Sequence, residues 1–362
     1  MQQAMQQTTH RATTNQIVPG GKPCSKPGLA RVTLAALALM ITAAMSSVSQ
    51  TASAQTKVRI AYGTATSHPF HTYAVMFKEA AEKKSGGKLE VQLFPARQLC
   101  DDRQCLEGTV AGTIDASLVS TVLFPLVVKK PAFDALQLPF MISSYENFAR
   151  VAQSPAVQAI LDDLGSAGLK GLAVGEGGQR HFLSAKGPVQ KISDFKGLKT
   201  RIVPVPLHKA MWEATGSAPV GIAYGEVYTS LQTKVIDAVE INVSSVEGEN
   251  MWEPAKHFTY TGHYFWPFAF TMNKAKFDKL PADIQKLMIE VAHEVVAPQV
   301  MAAKKDEEAQ AASLRKKGVQ FYKFNELAQM RTQMKPIIDQ WVAKDKMIGA
   351  VVDAANRIEA GR

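Results

Sequence analysis

Arg201 is followed by Ile202 and Val203, which sets an always-ionised guanidinium in an apolar, strand-like segment. A guanidinium offers paired, coplanar N–H donors that match a carboxylate. Two uses are open for it: capture of an anionic ligand, or a structural ion pair with an acid such as Glu240, because buried arginines are usually paired. Arg180 comes just after the glycine-rich Gly175-Glu176-Gly177-Gly178, where it could serve an anion or face solvent. That glycine run does not lead into a helical pattern and reads as a hinge or turn. Tyr224 taken alone is core. Trp266, in the run His263-Tyr264-Phe265-Trp266-Pro267-Phe268, could line a cleft or be core.

Other chemistries find little footing. His68 and Glu240 are the one acid–base pair that can be assembled for an exported hydrolase or lyase. His68 and His71 stand three apart and could share a helix face, but no third metal ligand is evident, so no metal is expected. There is no P-loop, GxSxG elbow, HExxH or post-strand GxGxxG, and no cofactor is expected. The basic residues form no stripe, which argues against a nucleic-acid partner. Cys100 and Cys105 form a C-x-x-x-x-C pair; in an oxidising compartment this favours a local disulfide, with free thiols or weak metal binding as alternatives.

The elements that must position these residues follow from periodicity. Val58, Ile60 and Tyr62 alternate as a strand, and Phe70, Tyr73, Phe77, Ala80, Ala81 and Lys84 keep helical spacing behind Pro69. Gly86-Gly87 stop that helix. Leu89, Val91 and Leu93 alternate again, a helix over Asp102 to Ala111 follows, and Ile114 to Val119 makes a third strand. Strand–helix–strand–helix–strand order predicts a parallel α/β sheet, with ligands beyond the carboxyl ends of its strands. A second α/β unit runs through strands at Leu169–Val174, Thr200–Val203 and Ile236–Ile241, with helices at Pro206–Thr215 and Gly225–Thr233. Past Phe268 the stripe Ile284, Leu287, Met288, Val291, Val295 opens a helix expected to reach Lys317, with a kink at Pro298.

The chain has 362 residues, 46% hydrophobic and 20% charged, with a net charge of +9. That composition excludes a disordered chain, and three cysteines exclude a disulfide scaffold. Residues 1–54 hold Arg11, Lys22, Lys26 and Arg31, no acid, an apolar run over Val32–Met45, and a terminal Ala52-Ser53-Ala54. A basic start, a short apolar run and an A-x-A site read as a secretory signal peptide. At about 14 residues the run is short of the roughly 20 that a spanning helix needs. Removal of the leader would take Cys24 with it and leave a net charge of +5 on residues 55–362 in a periplasmic protein.

Several segments together resemble the solute-binding proteins of tripartite ATP-independent periplasmic (TRAP) transporters, the DctP family. They are Ser67-His68-Pro69, Phe94 to Leu99, Leu138-Pro139-Phe140, Lys196 to Pro204, Ala223 to Thr233 and Ile236 to Glu240. Singly these are weak, but their order and spacing over about 220 residues are specific. The resemblance implies a two-lobed α/β periplasmic-binding-protein (Venus-flytrap) fold with a long helix spanning both lobes. Lobe I is then expected over 55–177, lobe II over 178–265, and the return to lobe I with the C-terminal helices over 266–362. It also implies an organic acid in the cleft, salt-bridged to Arg201 and assisted by Arg180, with Tyr224 packed on it. Many relatives place an Asn directly after the acid at Glu240; this chain has Ile241 there and Asn242 one place on. Adjacent strand residues face opposite sides, so Asn242 replaces that amide only through a bulge. The loss suggests a less polar ligand, a monocarboxylate with an apolar or aromatic body such as an aromatic 2-oxo or 2-hydroxy acid, with an aliphatic dicarboxylate or a sugar acid as the alternatives. Glu240, Asn242, His68 and Trp266 complete the candidate ligand-binding set. The expected protein is a monomeric, non-enzymatic receptor delivering to a large and a small membrane subunit. A ligand-sensing ectodomain of a signalling system is the alternative.

Overall fold

A computed structural model of the protein describes residues 55–361, so the leader over 1–54 lies outside the described residues. The first half of the chain builds parallel strands β1 (Thr56–Ala61), β2 (Leu89–Phe94) and β3 (Ala116–Ser120). Crossover helices α1 (Pro69–Lys84) and α2 (Asp102–Ala111) connect them. Pro69 opens α1, where its missing N–H costs nothing, and Phe70, Tyr73, Ala74, Phe77 and Ala81 form its buried face. Gly112, at φ +78°, caps α2 in the left-handed region that glycine enters freely.

Two long strands carry the rest of the sheet. β4 (Leu169–Ser184) has 16 residues and, further on, β8 (His257–Asn273) has 17; they run antiparallel along their length. Between them the chain forms β5 (Lys199–Ile202), helix α3 (Pro206–Ala214), β6 (Ala218–Gly221), helix α4 (Val227–Gln232) and β7 (Ala238–Ile241). The sheet order is β2-β1-β3-β8-β4-β7-β5-β6, with β9 (Gln320–Lys323) parallel to the start of β8. The amino-terminal part of β4 and the carboxyl-terminal part of β8 therefore belong with β1–β3, and their other parts with β5–β7.

The glycine-rich segment expected as a hinge or turn is not a turn. It lies inside β4, where the register against β8 shifts between Glu176 and Gln179. Glycine is required because a Cβ on Gly178, at φ +116°, would stand 2.7 Å from Asn242 Nδ2. The aromatic run of β8 is likewise strand interior. Phe268 and Phe270 pack on Phe70, Tyr73 and Phe77 of α1 with ring centroids 4.5–5.9 Å apart.

The long helix is present as α5 (Ala282–Glu294) and α6 (Val296–Lys316), which meet at Val295. The break falls at Val295, not at Pro298 as expected. Proline cannot donate to the carbonyl four residues earlier and its ring crowds that carbonyl, so the disruption appears upstream of the proline itself. From α6 the buried Gln299 reaches β4 at the register shift. Its Nε2 donates to the carbonyls of Glu176 (2.7 Å) and Pro69 (3.3 Å), and its Oε1 accepts the Glu176 N–H (3.3 Å). One side chain thus satisfies backbone groups that the irregular ladder leaves unpaired.

Candidate functional site

Arg201 sits near the carboxyl end of β5, between β7 and β6, opposite Val239 and Val220. It is 1% exposed, and Nε donates to the Ile222 carbonyl at 2.9 Å. Nη1 and Nη2 make no hydrogen bond to another described residue, and no described carboxylate lies within ion-pair distance. The alternative of an Arg201–Glu240 pair is overturned. Burial pushes the Arg201 guanidinium down to about 10; Glu240 opposes that shift from a distance and Arg180 adds to it. Arg201 therefore remains a buried cation at neutral pH.

Glu240 belongs to Arg180. Arg180 Nε and Nη2 donate to the two carboxylate oxygens at 2.7 Å each, Nη2 also to the Glu240 carbonyl at 2.6 Å, and Nη1 to Asn242 Oδ1 at 3.3 Å. Tyr264 donates its hydroxyl to Glu240 at 3.2 Å, and His263 and His208 stand 3.7 and 3.8 Å from the carboxylate. Burial alone would raise Glu240, but the adjoining Arg180 outweighs it and holds the carboxyl well below its usual range. Arg180 is held above its ordinary value, because the Glu240 charge outweighs the effect of burial.

The two arginines, Tyr224 and Trp266 line one cavity. Trp266 lies under the Arg180 guanidinium at 4.8 Å, and its Nε1 donates to Ser120 Oγ at 2.6 Å. Tyr224 donates to Ser245 at 3.0 Å and leans on Trp266. Val122, Leu123, Leu126, Val203 and Pro204 supply an apolar wall. Asn242 and His68 stand behind the lining. Asn242 stands at the N-cap position of the helix after β7, holds Arg180 through Oδ1, and donates from Nδ2 to the Gly177 carbonyl at 2.5 Å. His68 packs edge-on against Trp266, and burial followed by the Arg180 charge pushes it down to about 3, so it is neutral. His68 and Glu240 do not pair, which removes the acid–base couple considered for a hydrolase.

Sequence reasoning missed Asp101 and Asp102, which line the cavity where α2 begins. Burial, reinforced by Asp101 and opposed by Arg201 and Arg97, pushes Asp102 up to about 7. The available signal was two adjacent acids opening the helix that follows β2 after a short loop, at the end of the sheet where ligands bind. Arg97 falls within the Phe94–Leu99 segment, and no role for it stands out from the sequence. It bridges Glu249 at 2.6 and 3.2 Å and lies 5.7 Å from the Tyr224 ring.

Residues 60–345 match the model of DctP, bacterial extracellular solute-binding protein family 7. The chain belongs to this family. It is a DctP-type TRAP periplasmic solute-binding protein, of a family that binds and does not catalyse. It is 33% identical over 269 residues to a solute-binding protein of Verminephrobacter eiseniae, covering 74% of this chain and 80% of that one. The sugar acid binding protein DctPAm of Advenella mimigardefordensis, solved with galactonate, superposes with a TM-score of 0.79 at 26% identity, over 84% of this chain and 99% of that one. A TRAP periplasmic solute-binding protein from Bradyrhizobium sp. BTAi1, solved with galacturonate, gives 0.78 at 28% identity, over 83% and 99%. The two-lobed α/β fold with its long helix is thus the fold of the DctP structures.

Proposed function

We propose that this protein captures an organic-acid anion in the cavity and hands it to the large and small membrane subunits of a TRAP transporter. The observation that carries this reading is Arg201: a fully buried cation with both terminal nitrogens unpartnered among the described residues. A carboxylate is the group that fits a planar pair of charged donors in a water-poor site. Arg180 adds directional donors but little net charge, because Glu240 neutralises it. Among the described residues that line the cavity, Arg201 is the one basic side chain without an ion pair, which favours one carboxylate.

The apolar wall supports a ligand body that is itself apolar or aromatic, laid against Leu123, Leu126 and Val203 and facing Tyr224 and Trp266. Asp102, opposite, would accept a hydroxyl of a 2-hydroxy acid. The lobes would part at 177/178 and 265/266, where the β4–β8 register shifts, and close on the ligand. Export by the leader, with the monomer as the working form, completes the reading.

A second reading, a sugar acid, has support in the galactonate and galacturonate held by the two solved relatives. A thermal-shift and calorimetry panel of mandelate, phenylpyruvate, succinate, galactonate and galacturonate separates the two. Stabilisation by mandelate or phenylpyruvate alone is the expected result. Stabilisation by the sugar acids alone overturns the apolar-body reading, and binding of no carboxylate in a wider panel overturns the acid-receptor reading. Permease genes beside this one would support delivery; a sensor-kinase neighbour would oppose it.

A further inference from the structure

Cys100 and Cys105 are joined by a disulfide. The bridge encloses Asp101, Asp102, Arg103 and Gln104, and the first three of these line the cavity. Cys105 is fully buried in the first turns of α2, beside Leu106, and Cys100 directly precedes the N-cap residue Asp101. The bridge therefore fixes the angle at which the chain enters the helix.

Stability is a weak reason for such a bond. It closes a very short loop, which restricts the unfolded chain least. The helix has other supports: the Asp101 N–H donates to Gln104 Oε1 at 3.2 Å, and Gly112 caps the far end. The two carboxylates are a different matter. Asp101 Oδ1 and Asp102 Oδ1 are buried and have no hydrogen-bond partner among the described residues. Both crowd Gly63 at the end of β1, where a Cβ would stand 2.9 Å from the first and 3.3 Å from the second. Elsewhere the two carboxylates are tied by single backbone N–H groups, Asp101 Oδ2 by Gly225 at 3.4 Å and Asp102 by Ser120, so where they point still depends on the backbone that carries them, and the disulfide clamps that backbone.

We propose that the Cys100–Cys105 disulfide is a positioning element of the binding site, which holds Asp102 at the cavity wall so that its carboxylate accepts a hydroxyl of the bound acid. The proposal rests on the reading of the cavity as an organic-acid site. Its test uses the full-length mature protein and the double variant Cys100→Ser/Cys105→Ser, with mandelate and its hydroxyl-free analogue phenylacetate as probes. Mandelate should bind the variant about tenfold more weakly, the loss expected for a hydrogen bond to a charged group. Phenylacetate should be unaffected. The same Ser changes made on Asp102→Asn should shift neither acid. Equal losses for both acids, or a loss that persists on Asp102→Asn, would show a merely structural bond and overturn the proposal.

Hydrogen exchange without any added acid decides the point independently. Amides over 101–106 should exchange faster in the double variant, with the rest of the protein unchanged. Unchanged exchange there overturns the proposal even if neither acid binds the wild type, an outcome that would instead count against the reading of the cavity.

Discussion

Arg201→Met separates the cost of the binding site from its use. In the folded protein the Arg201 guanidinium is driven from 12.5 to about 10 by burial first, with the like charge of Arg180 adding and Glu240 opposing. That drop corresponds to about 3 kcal/mol against the charged form. Methionine has similar reach and no charge, so the substitution relieves that cost. It also gives up the hydrogen bond from Nε to the Ile222 carbonyl, worth about 1–2 kcal/mol. The ligand-free variant should therefore be more stable by about 1–2 kcal/mol, a rise in melting temperature of about 2–5 °C for a chain of this size. Affinity for the acid should fall by a factor of about 30 or more, as when one partner of a buried charge pair is removed. Arg180→Met is the control. It strands Glu240 in the interior without its bidentate cation and should cost about 3–5 kcal/mol of stability. Circular dichroism melts of exhaustively dialysed protein, with calorimetric titration of the acid that the panel identifies, read both effects. A ligand-free Arg201→Met that melts several degrees below wild type, or that binds as tightly as wild type, would refute the division of labour between the two arginines.

Three further outcomes are expected. Asp102 is raised from 3.8 to about 7, so its proton is held more tightly folded than unfolded. Its contribution is complete below about pH 4 and is lost as pH rises through about 7; Asp102→Asn should flatten the fall in ligand-free stability over that window, as read from urea midpoints. Arg97→Ala breaks the Glu249 bridge beside Tyr224, and because Arg97 is partly exposed the effect should be modest, with release of bound acid in stopped-flow faster by about three- to fivefold and an unchanged circular dichroism spectrum. Gly178→Ala places a methyl against Asn242 at a φ of +116° and should destabilise by about 1–3 kcal/mol in thermal melts, more than Gly187→Ala, which meets no neighbour within 4 Å.

Much of the fold was legible because the signals are local. The alternation of Val58, Ile60 and Tyr62, the buried stripe of α1 behind Pro69, and the stop at Gly86-Gly87 need no knowledge of distant contacts. β8 was not legible. Buried on both faces, it shows no alternation, and a continuous apolar run does not declare its period. The glycines inside β4 read as a hinge or turn, and the turn fails for a related reason: glycine marks turns, whereas here the glycines make room for Asn242 and Phe70.

The sequence, through its resemblance to a family, named seven candidate ligand-binding residues; Arg180, Arg201, Tyr224 and Trp266 line one cavity, whereas Glu240, Asn242 and His68 are not in its lining. Only the tertiary structure decided which arginine is free. The register of β4 on β7 sets Phe182 opposite Glu240, so Arg180, two residues away, shares its face. The register of β5 on β7 sets Arg201 beside Val239, on the other face from Glu240. A shift of one residue in either pairing would exchange those faces. The Glu240 carboxylate goes to Arg180 because of that register, and Arg201 keeps the unpaired charge that the proposed function uses.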